Sequence, residues 1–470
     1  MDLRRHFHIF AILILSACTA RADAPAGFPW LFTPETAVPG YLQFRAEGLS
    51  LKDASAHAVA YVRKWKDKKF TAPAEEVSYF DAQRALLRYL RHAAPPPGAP
   101  LELGMVGDVM WVRNQWSRFV APDVLAHLEQ NAVLLGNLES PIARSMPVPS
   151  LMPDCRAYNS DPALVRSFRD AGGRNLFTAL ATANNHMLDM GDAGAAETLA
   201  FLDEEGIAHS GTAKKGGARW ASFERGGIKF GFYAASWGLN DPASLETTGM
   251  QLNVVRGLAP ERQAPADLEE VRRALDEMRA AGCAFRIVAM HWGFEYEYYP
   301  SPRVMQEGHR IVELGADLVM GGHSHVQQPP EVCLLNGYEK AYAEDSAAAG
   351  LAALAPGSGC LLATPDGRPR KALIVYSLGN FTTTMMSDIT RVAWMPGITL
   401  ARDPVTGAID WTGVRSSWAY NKVPTLTSRS RALTMLDREP TPYPELNAPW
   451  LGTDGALTPL AFLKRHVGAE

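Results

Sequence analysis

Five apolar runs in this chain each end in side chains that seek metal ions, and the last is the sharpest: GADLVMGGHSHVQQ sets His323 and His325 on either side of Ser324. Gly321, Gly322 and Ser324 let the backbone come close to a cation, so two neutral imidazoles placed after a buried strand can turn toward one ion. The other runs are LELGMVGD, ending at Asp108; AVLLGNLE, ending at Glu139; FTALATANNH, ending at Asn185 and His186; and FRIVAMHWG, which carries His291. A parallel sheet presents the carboxyl ends of its strands to one crevice, where carboxylates, an amide and imidazoles from successive strands converge. The series predicts a divalent-metal site on an α/β layered fold.

Helical stretches separate these runs. DPALVRSFRDAGG, AGAAETLAFLDEEG, PADLEEVRRALDEMRAAG and PRVMQEGHRIVELG each close on Gly, which suits the left-handed C-terminal cap. This βαβα succession over residues 99–400 predicts a main domain with helices packed on both faces of a mixed, largely parallel β-sheet core. Residues 19–98 read as an extension with helices near 51–67 and 75–92, closed by the breaker Pro95-Pro96-Pro97-Gly98-Ala99-Pro100. Residues 401–470 read as a C-terminal extension packing back on the core through LTMLDRE and PLAFLKRH, and the aperiodic segment 237–262 as a loop over the site. The 470 residues are 47% hydrophobic, ample for a large core. A formal net charge of −4 leaves no basic footprint for nucleic acid, so a phosphate-rich partner must be held locally, by a metal or a few Arg.

The amino terminus reads as an address. Arg4 and Arg5 precede an apolar stretch, Ile9 to Leu15, too short to span a membrane, and then comes Leu15-Ser16-Ala17-Cys18. That tetrapeptide resembles the lipobox of bacterial lipoproteins, which implies a signal peptide over residues 1–18, acylation of Cys18 and tethering to a membrane at the periplasmic or outer face. Ordinary cleavage near Ala20 or Ala22 is the alternative. Both readings export the chain. In an oxidising compartment Cys333 and Cys360, which bracket an Ala/Gly-rich insertion, either pair or remain two thiols, and Cys283 reads as a small buried hydrophobe.

The motifs GDVMWVR, GNLESPI, ANNHMLDMG, HWGFEY, GADLVMGGHSHVQ and YSLGNF follow the order and approximate spacing of the bacterial CapA family, and the chain resembles that family over about residues 101–385. Those are capsule or poly-gamma-glutamate synthesis proteins, related to calcineurin-like metallophosphoesterases. The resemblance implies a layered metallophosphoesterase-like fold holding one or two divalent ions (Mn, Mg, Zn or Fe). Asp108 and His325 would hold the first ion, Asn185, His291 and His323 the second, and Glu139 would bridge them. His186 would assist a leaving group with its tautomer set by Asp189; the alternative is that both pin the loop. Arg113 is read as a ligand for a substrate anion, and Tyr296 as part of a wall with Trp292, Phe294, Tyr298 and Tyr299, while Asn380 and Phe381 read as structural. One position departs from the wider superfamily. Where that pattern has Asp-x-His, this chain has Asp108-Val109-Met110, and a thioether is a poor ligand for a hard cation.

Two functional expectations follow: a metal-dependent phosphoesterase-like enzyme acting on an anionic polymer or phosphoester of the cell envelope, or a non-catalytic, membrane-tethered subunit holding polymer in a synthesis or export complex. In either case Cys18→Ser should abolish incorporation of a lipid precursor and release the protein from membranes. Labelling and fractionation check this, and unchanged label in the variant would remove the lipoprotein reading.

Overall fold

The computed structural model describes residues 72–92, 97–110, 119–148, 158–258, 265–338, 359–385, 387–422, 432–437, 439–449 and 457–469. The signal peptide, Cys18, the helix expected near 51–67 and Arg113 lie outside them.

Strand β1 (Leu101–Met110) is buried along nearly its whole length and organises the first sheet. On one side it pairs in parallel with β2 (Val133–Glu139), which is followed by β3 (Ala179–Ala181) and β4 (Ala208–Ser210), also parallel. On the other side it meets β15 (Val392–Arg402) antiparallel, and β16 (Ile409–Lys422) and β17 (Ala432–Met435) extend the sheet. A short strand, β14 (Asn380–Thr382), joins the far end of β1 in parallel. The boundary expected near residue 400 therefore falls inside a β-hairpin.

A second sheet runs in the order β12 (Cys360–Leu362), β11 (Glu331–Leu335), β13 (Arg370–Val375), β10 (Leu318–Gly322), β9 (Phe285–His291), β7 (Ile228–Ser236), β6 (Trp220–Arg225). Its four central strands are parallel. Beside the sheets, β5 (Thr212–Lys214) and β8 (Met250–Leu252) form a small ribbon.

The β-core is thus two stacked mixed sheets, where the succession of runs suggests one. Strands buried on both faces read the same whether helices cover both sides or a second sheet covers one. Leu103, Met105 and Leu135 of the first sheet meet Phe232, Ile287, Met320 and Val375 of the second in one apolar cluster. Outside the first sheet, Val106, Leu134 and Leu180 pack with α2 (Pro122–Leu128), α3 (Ala163–Arg166) and α4 (Gly191–Glu204) through Val124, Leu164 and Phe201. Outside the second, Val288, Val319 and Ile374 pack with α6 (Glu269–Ala280) and α7 (Pro302–Glu313) through Leu275 and Ile311. The result is an α/β/β/α layering.

Helix α1 (Ala74–His92) matches the expected span and joins both clusters, with Phe80 in the outer one and Leu86, Leu87 and Leu90 in the inner one. The Gln83 Oε1 atom accepts the Val332 amide at 2.9 Å, so the helix also satisfies a strand. Of the C-terminal segments, LTMLDRE supplies β17, and PLAFLKRH forms α9 (Pro459–His466), whose Leu460 and Leu463 enter the inner cluster; α8 (Pro444–Asn447) precedes it. The helix expected over DPALVRSFRDAGG spans only Ala163–Arg166, because Asn175 takes the Val165 carbonyl with its side chain and Asp170 caps a turn at Arg174. Residues 237–258 cross the site and hold one short helix, α5 (Ser244–Thr247). No helix among the described residues is long and apolar enough to cross a membrane.

Cys333 and Cys360 are register partners on β11 and β12 and form a disulfide, while Cys283 is a buried free thiol. The bond closes a loop with a sequence separation of 27 residues. On chain-entropy grounds, Cys360→Ser should lower unfolding stability by about 3 kcal/mol. Urea denaturation would show this, and an unchanged midpoint and slope would indicate that the bond contributes no net stability.

Candidate metal centre

All six expected ligands come together at the carboxyl ends of parallel strands. Asp108 lies in β1 opposite Asn137 of β2, Glu139 ends β2, Asn185 follows β3, His291 ends β9 opposite Gly322 of β10, and His323 and His325 follow β10. Ligand atoms of Glu139, His323 and His325 lie within 4.8 Å of one another, as do those of Asp108, Glu139 and His291. His291 Nε2 is 2.7 Å from Asn185 Oδ1 and 3.2 Å from Glu139 Oε1, and His325 Nδ1 is 3.8 Å from Asp108 Oδ2. Glu139 is common to both triplets and stands where a bridging carboxylate would.

The backbone is bent to achieve this. His323 and His325 adopt φ of +89° and +57°, and Tyr296, whose ring lies 5.9 Å from that of His325, adopts +64°. Non-glycine residues rarely hold this region, and such strain concentrates where surrounding structure fixes a functional geometry. Close approach explains part of it. The His323 amide donates to Asp108 Oδ2 at 3.1 Å, and a Cβ on Gly322 would lie 2.4 Å from Asp108 Oδ1. Only glycine lets β10 lie over that carboxylate.

Several groups hold the ligands. Asn137 donates to Asp108 Oδ1 at 2.8 Å and lies 3.3 Å from His291 Nδ1; Asn380 Oδ1 is 3.0 Å from His325 Nδ1, leaving Nε2 for a cation. Asn240 Oδ1 takes the Asn185 amide at 2.8 Å. Sequence reasoning passed over Asn137, although it sits inside the GNLE run. It had no signal for Asn240, which comes from the aperiodic loop.

His186 stands apart from the ligand triplets. Its Nδ1 is 2.6 Å from Asp189 Oδ2, which also accepts the Tyr158 amide at 2.7 Å, and the Tyr158 ring stacks on the imidazole at 3.9 Å. Met110 is buried against Tyr158 and Met385, so its thioether is committed to packing. Of the expected aromatic wall, Tyr296 faces the site. Trp292 instead bonds the Tyr376 carbonyl, and Tyr298 packs on Phe462 of α9.

Burial governs the electrostatics. It pushes Asp108 up to about 8, with Glu139 adding to the rise, and Glu139 up to about 7. It presses His291 down to about 4, His325 to about 3, and His323 well below the usual imidazole value. For His186 burial also pulls downward, but the Asp189 charge and hydrogen bond outweigh it and the result is a rise. Both Glu139 oxygens and His323 Nδ1 are buried without a hydrogen-bond partner. An ionised carboxylate so placed costs several kcal/mol unless a cation balances it. Two carboxylates, an amide oxygen and three neutral imidazoles around these orphaned atoms fit a divalent metal. His309 and Glu331 lie near Cys333 and Cys360, but that disulfide leaves no thiolate there.

Residues 102–385 match the family described as bacterial capsule synthesis protein PGA_cap. The chain is 26% identical over 256 residues to the capsule biosynthesis protein CapA of Bacillus anthracis, covering 49% of this chain and 56% of that one. It is 30% identical over 225 residues to a probable polyglutamine synthesis accessory protein of Mycobacterium tuberculosis, covering 45% and 54%. To the PGA biosynthesis protein CapA of Bacillus subtilis it is 24% identical over 245 residues, covering 49% and 59%. The matches thus span little more than half the length of these relatives.

A cation needs Asp108 and Glu139 ionised, whereas burial keeps both protonated up to about 8 and about 7. Binding below that range must displace protons, so affinity falls as pH falls and levels off above about 8; the three imidazoles, already neutral, release none. Mn²⁺ titrated at pH 6.5 should therefore release roughly one to two protons, with affinity rising about tenfold or more per pH unit. Calorimetry in buffers of different ionisation enthalpy measures the release, and a pH-independent affinity would contradict the ligand assignment.

Proposed function

The chain belongs to the family of bacterial capsule synthesis proteins, and from that membership we propose that it is an exported, lipid-anchored, metal-dependent phosphoesterase-like protein that acts on an anionic envelope polymer or its phosphoester precursor. The observation that carries this reading is the buried Glu139 carboxylate, which offers a ligand atom within 4.8 Å of those of Asp108, His291, His323 and His325. Asp108, Glu139, Asn185, His291, His323 and His325 would hold one or two divalent cations. A cation bound there supplies a Lewis acid that polarises a phosphoryl or acyl oxygen.

The rest of the chemistry belongs to the chain's own side chains. Asn184 donates to the Leu138 carbonyl at 2.8 Å and accepts the His186 amide at 3.2 Å, so the loop bearing Asn185 and His186 is tied to the strand bearing Glu139. Asp189 holds the Nδ1 proton of His186, so Nε2, which lies 3.4 Å from the Asn240 amide nitrogen, is the atom that would deliver a proton to a leaving oxygen. Against the downward pull of burial, the Asp189 charge and hydrogen bond raise that imidazole's affinity for protons, and Tyr158 fixes the ring plane. A ligand amide and a proton donor one residue apart thus share one frame.

A second reading has its own support. Met110 packs where the wider superfamily has an imidazole, so Asp108 has fewer nitrogen partners than Glu139. A site with two unequal cation positions suits slow turnover or binding alone, as in an accessory subunit that holds polymer within a synthesis or export complex.

The two readings separate by mutation. His323→Ala should lower bound metal and abolish activity on a phosphodiester panel. His186→Ala should keep metal near the wild-type level and reduce turnover by about 10² to 10⁴. Metal analysis with steady-state kinetics decides: metal loss in His186→Ala would make it a ligand, and turnover unaltered in both variants would favour the accessory subunit.

A further inference from the structure

Helices α1 and α9 lie outside the residues that match the family, yet they meet around a cavity of about 250 Å³ lined by Asp81, Arg84, Arg88, Arg465 and Gly468. Three guanidinium groups face one carboxylate there. Arg84 is the fixed member, buried, paired with Asp81 and 3.4 Å from the His466 carbonyl. Arg88 and Arg465 are exposed, and among the described residues neither meets an acceptor. Arg91 adds a fourth positive charge behind them and donates to the carbonyls of Val414 at 3.4 Å and Gly468 at 2.5 Å.

The spacing of 84, 88 and 91 puts these arginines on one stripe of α1, and α9 brings Arg465 across from it. Like charges at that spacing repel. In a chain whose net charge is −4, a concentration of arginines with a single acid among them is a local focus that an oxyanion would relieve, and the planar guanidinium fork matches carboxylate and phosphate oxygens.

The pocket also shares a segment with the metal centre. Arg84 hydrogen-bonds Tyr299, and His466 of α9 lies 2.5 Å from the Tyr298 carbonyl with its ring 4.6 Å from that of Tyr299. At the other end of the same segment Tyr296 faces His325. Three residues span at most about 11 Å of backbone, so the two ends of this segment lie within reach of a few repeat units of a charged polymer.

We propose that this arginine pocket is a second anion site, which holds a carboxylate or phosphate of a polyanionic chain whose neighbouring units run along the Tyr296–Tyr299 segment toward the metal centre. The inference rests on the reading of that cleft as a site for an anionic polymer. It assigns a binding role to the flanks of the chain, where the family match does not reach.

The test is titration of the full-length protein with a fluorescent γ-linked glutamate decamer, comparing wild type with R88E/R465E. Both side chains are exposed, and wild-type manganese content and thermal midpoint would verify that the double variant is folded. The charge reversal should weaken decamer binding by about tenfold or more, and R88K/R465K by a smaller factor, since charge remains while the fork is lost. Equal decamer affinity in wild type and R88E/R465E would overturn the proposal. Phosphatidylglycerol vesicles form the second arm: vesicle binding lost on charge reversal, with decamer binding intact, would assign the pocket to lipid headgroups and overturn the polymer assignment. Decamer binding that depends on these arginines in a protein that turns over no phosphoester would sustain the anion site while removing the enzyme reading.

Discussion

The carboxylate of Glu139 sits at the end of a fully buried strand with neither oxygen hydrogen-bonded, and three imidazoles and a second carboxylate are gathered around it. An arrangement of this kind is unstable as a set of charges, because burial opposes ionised carboxylates and protonated imidazoles alike. One divalent charge resolves the conflict for every member at once. It stabilises the ionised carboxylates and uses imidazoles that burial has already made neutral. The surrounding structure is therefore best understood as a device for holding incompatible groups together until a cation makes them compatible.

Two sheets are what make that concentration of ligands attainable. The first sheet contributes Asp108, Glu139 and Asn185, and the second contributes His291, His323 and His325. A single sheet would have to spread the same residues along one edge at about 4.8 Å per strand, roughly 19 Å across five strands. Stacking folds that edge back on itself, and the carboxylate side then faces the imidazole side. Gly322 is where the two sides touch: a side chain there would displace the Asp108 carboxylate.

Much of this was legible in the sequence, for identifiable reasons. One apolar run that stops at Asp, Glu, Asn or His is common and as a rule marks a turn or cap, but five in series point to one crevice, and all six candidate ligands came from such ends. The stacked sheets were not legible, because a strand buried on both faces carries no label for what covers each face. Asn137 hid inside a run read for its terminal Glu, and Asn240 came from a segment with no period at all. Trp292 and Tyr298 illustrate the reverse error: both lie in the run that follows His291, but their rings turn into the core, whereas Tyr296, with its left-handed backbone, turns toward the site.

The position of Met110 bears on how far the chemistry of Asp-x-His phosphoesterases can be carried into this chain. A histidine there would add a nitrogen beside Asp108, whereas the thioether packs on Tyr158, whose ring in turn stacks on His186. The substitution thus exchanges a ligand for a support: it removes a nitrogen from one cation position and stiffens the residue best placed to move a proton. On the proposed enzyme reading, two effects of opposite sign on catalysis would follow from one side chain. Weaker hold on the first cation lowers the population of loaded protein, while a fixed imidazole lowers the reorganisation needed in each turnover. Under the proposed export, the metal supply is set by the surroundings, and the first cation position is the part of this site whose occupancy the environment would control.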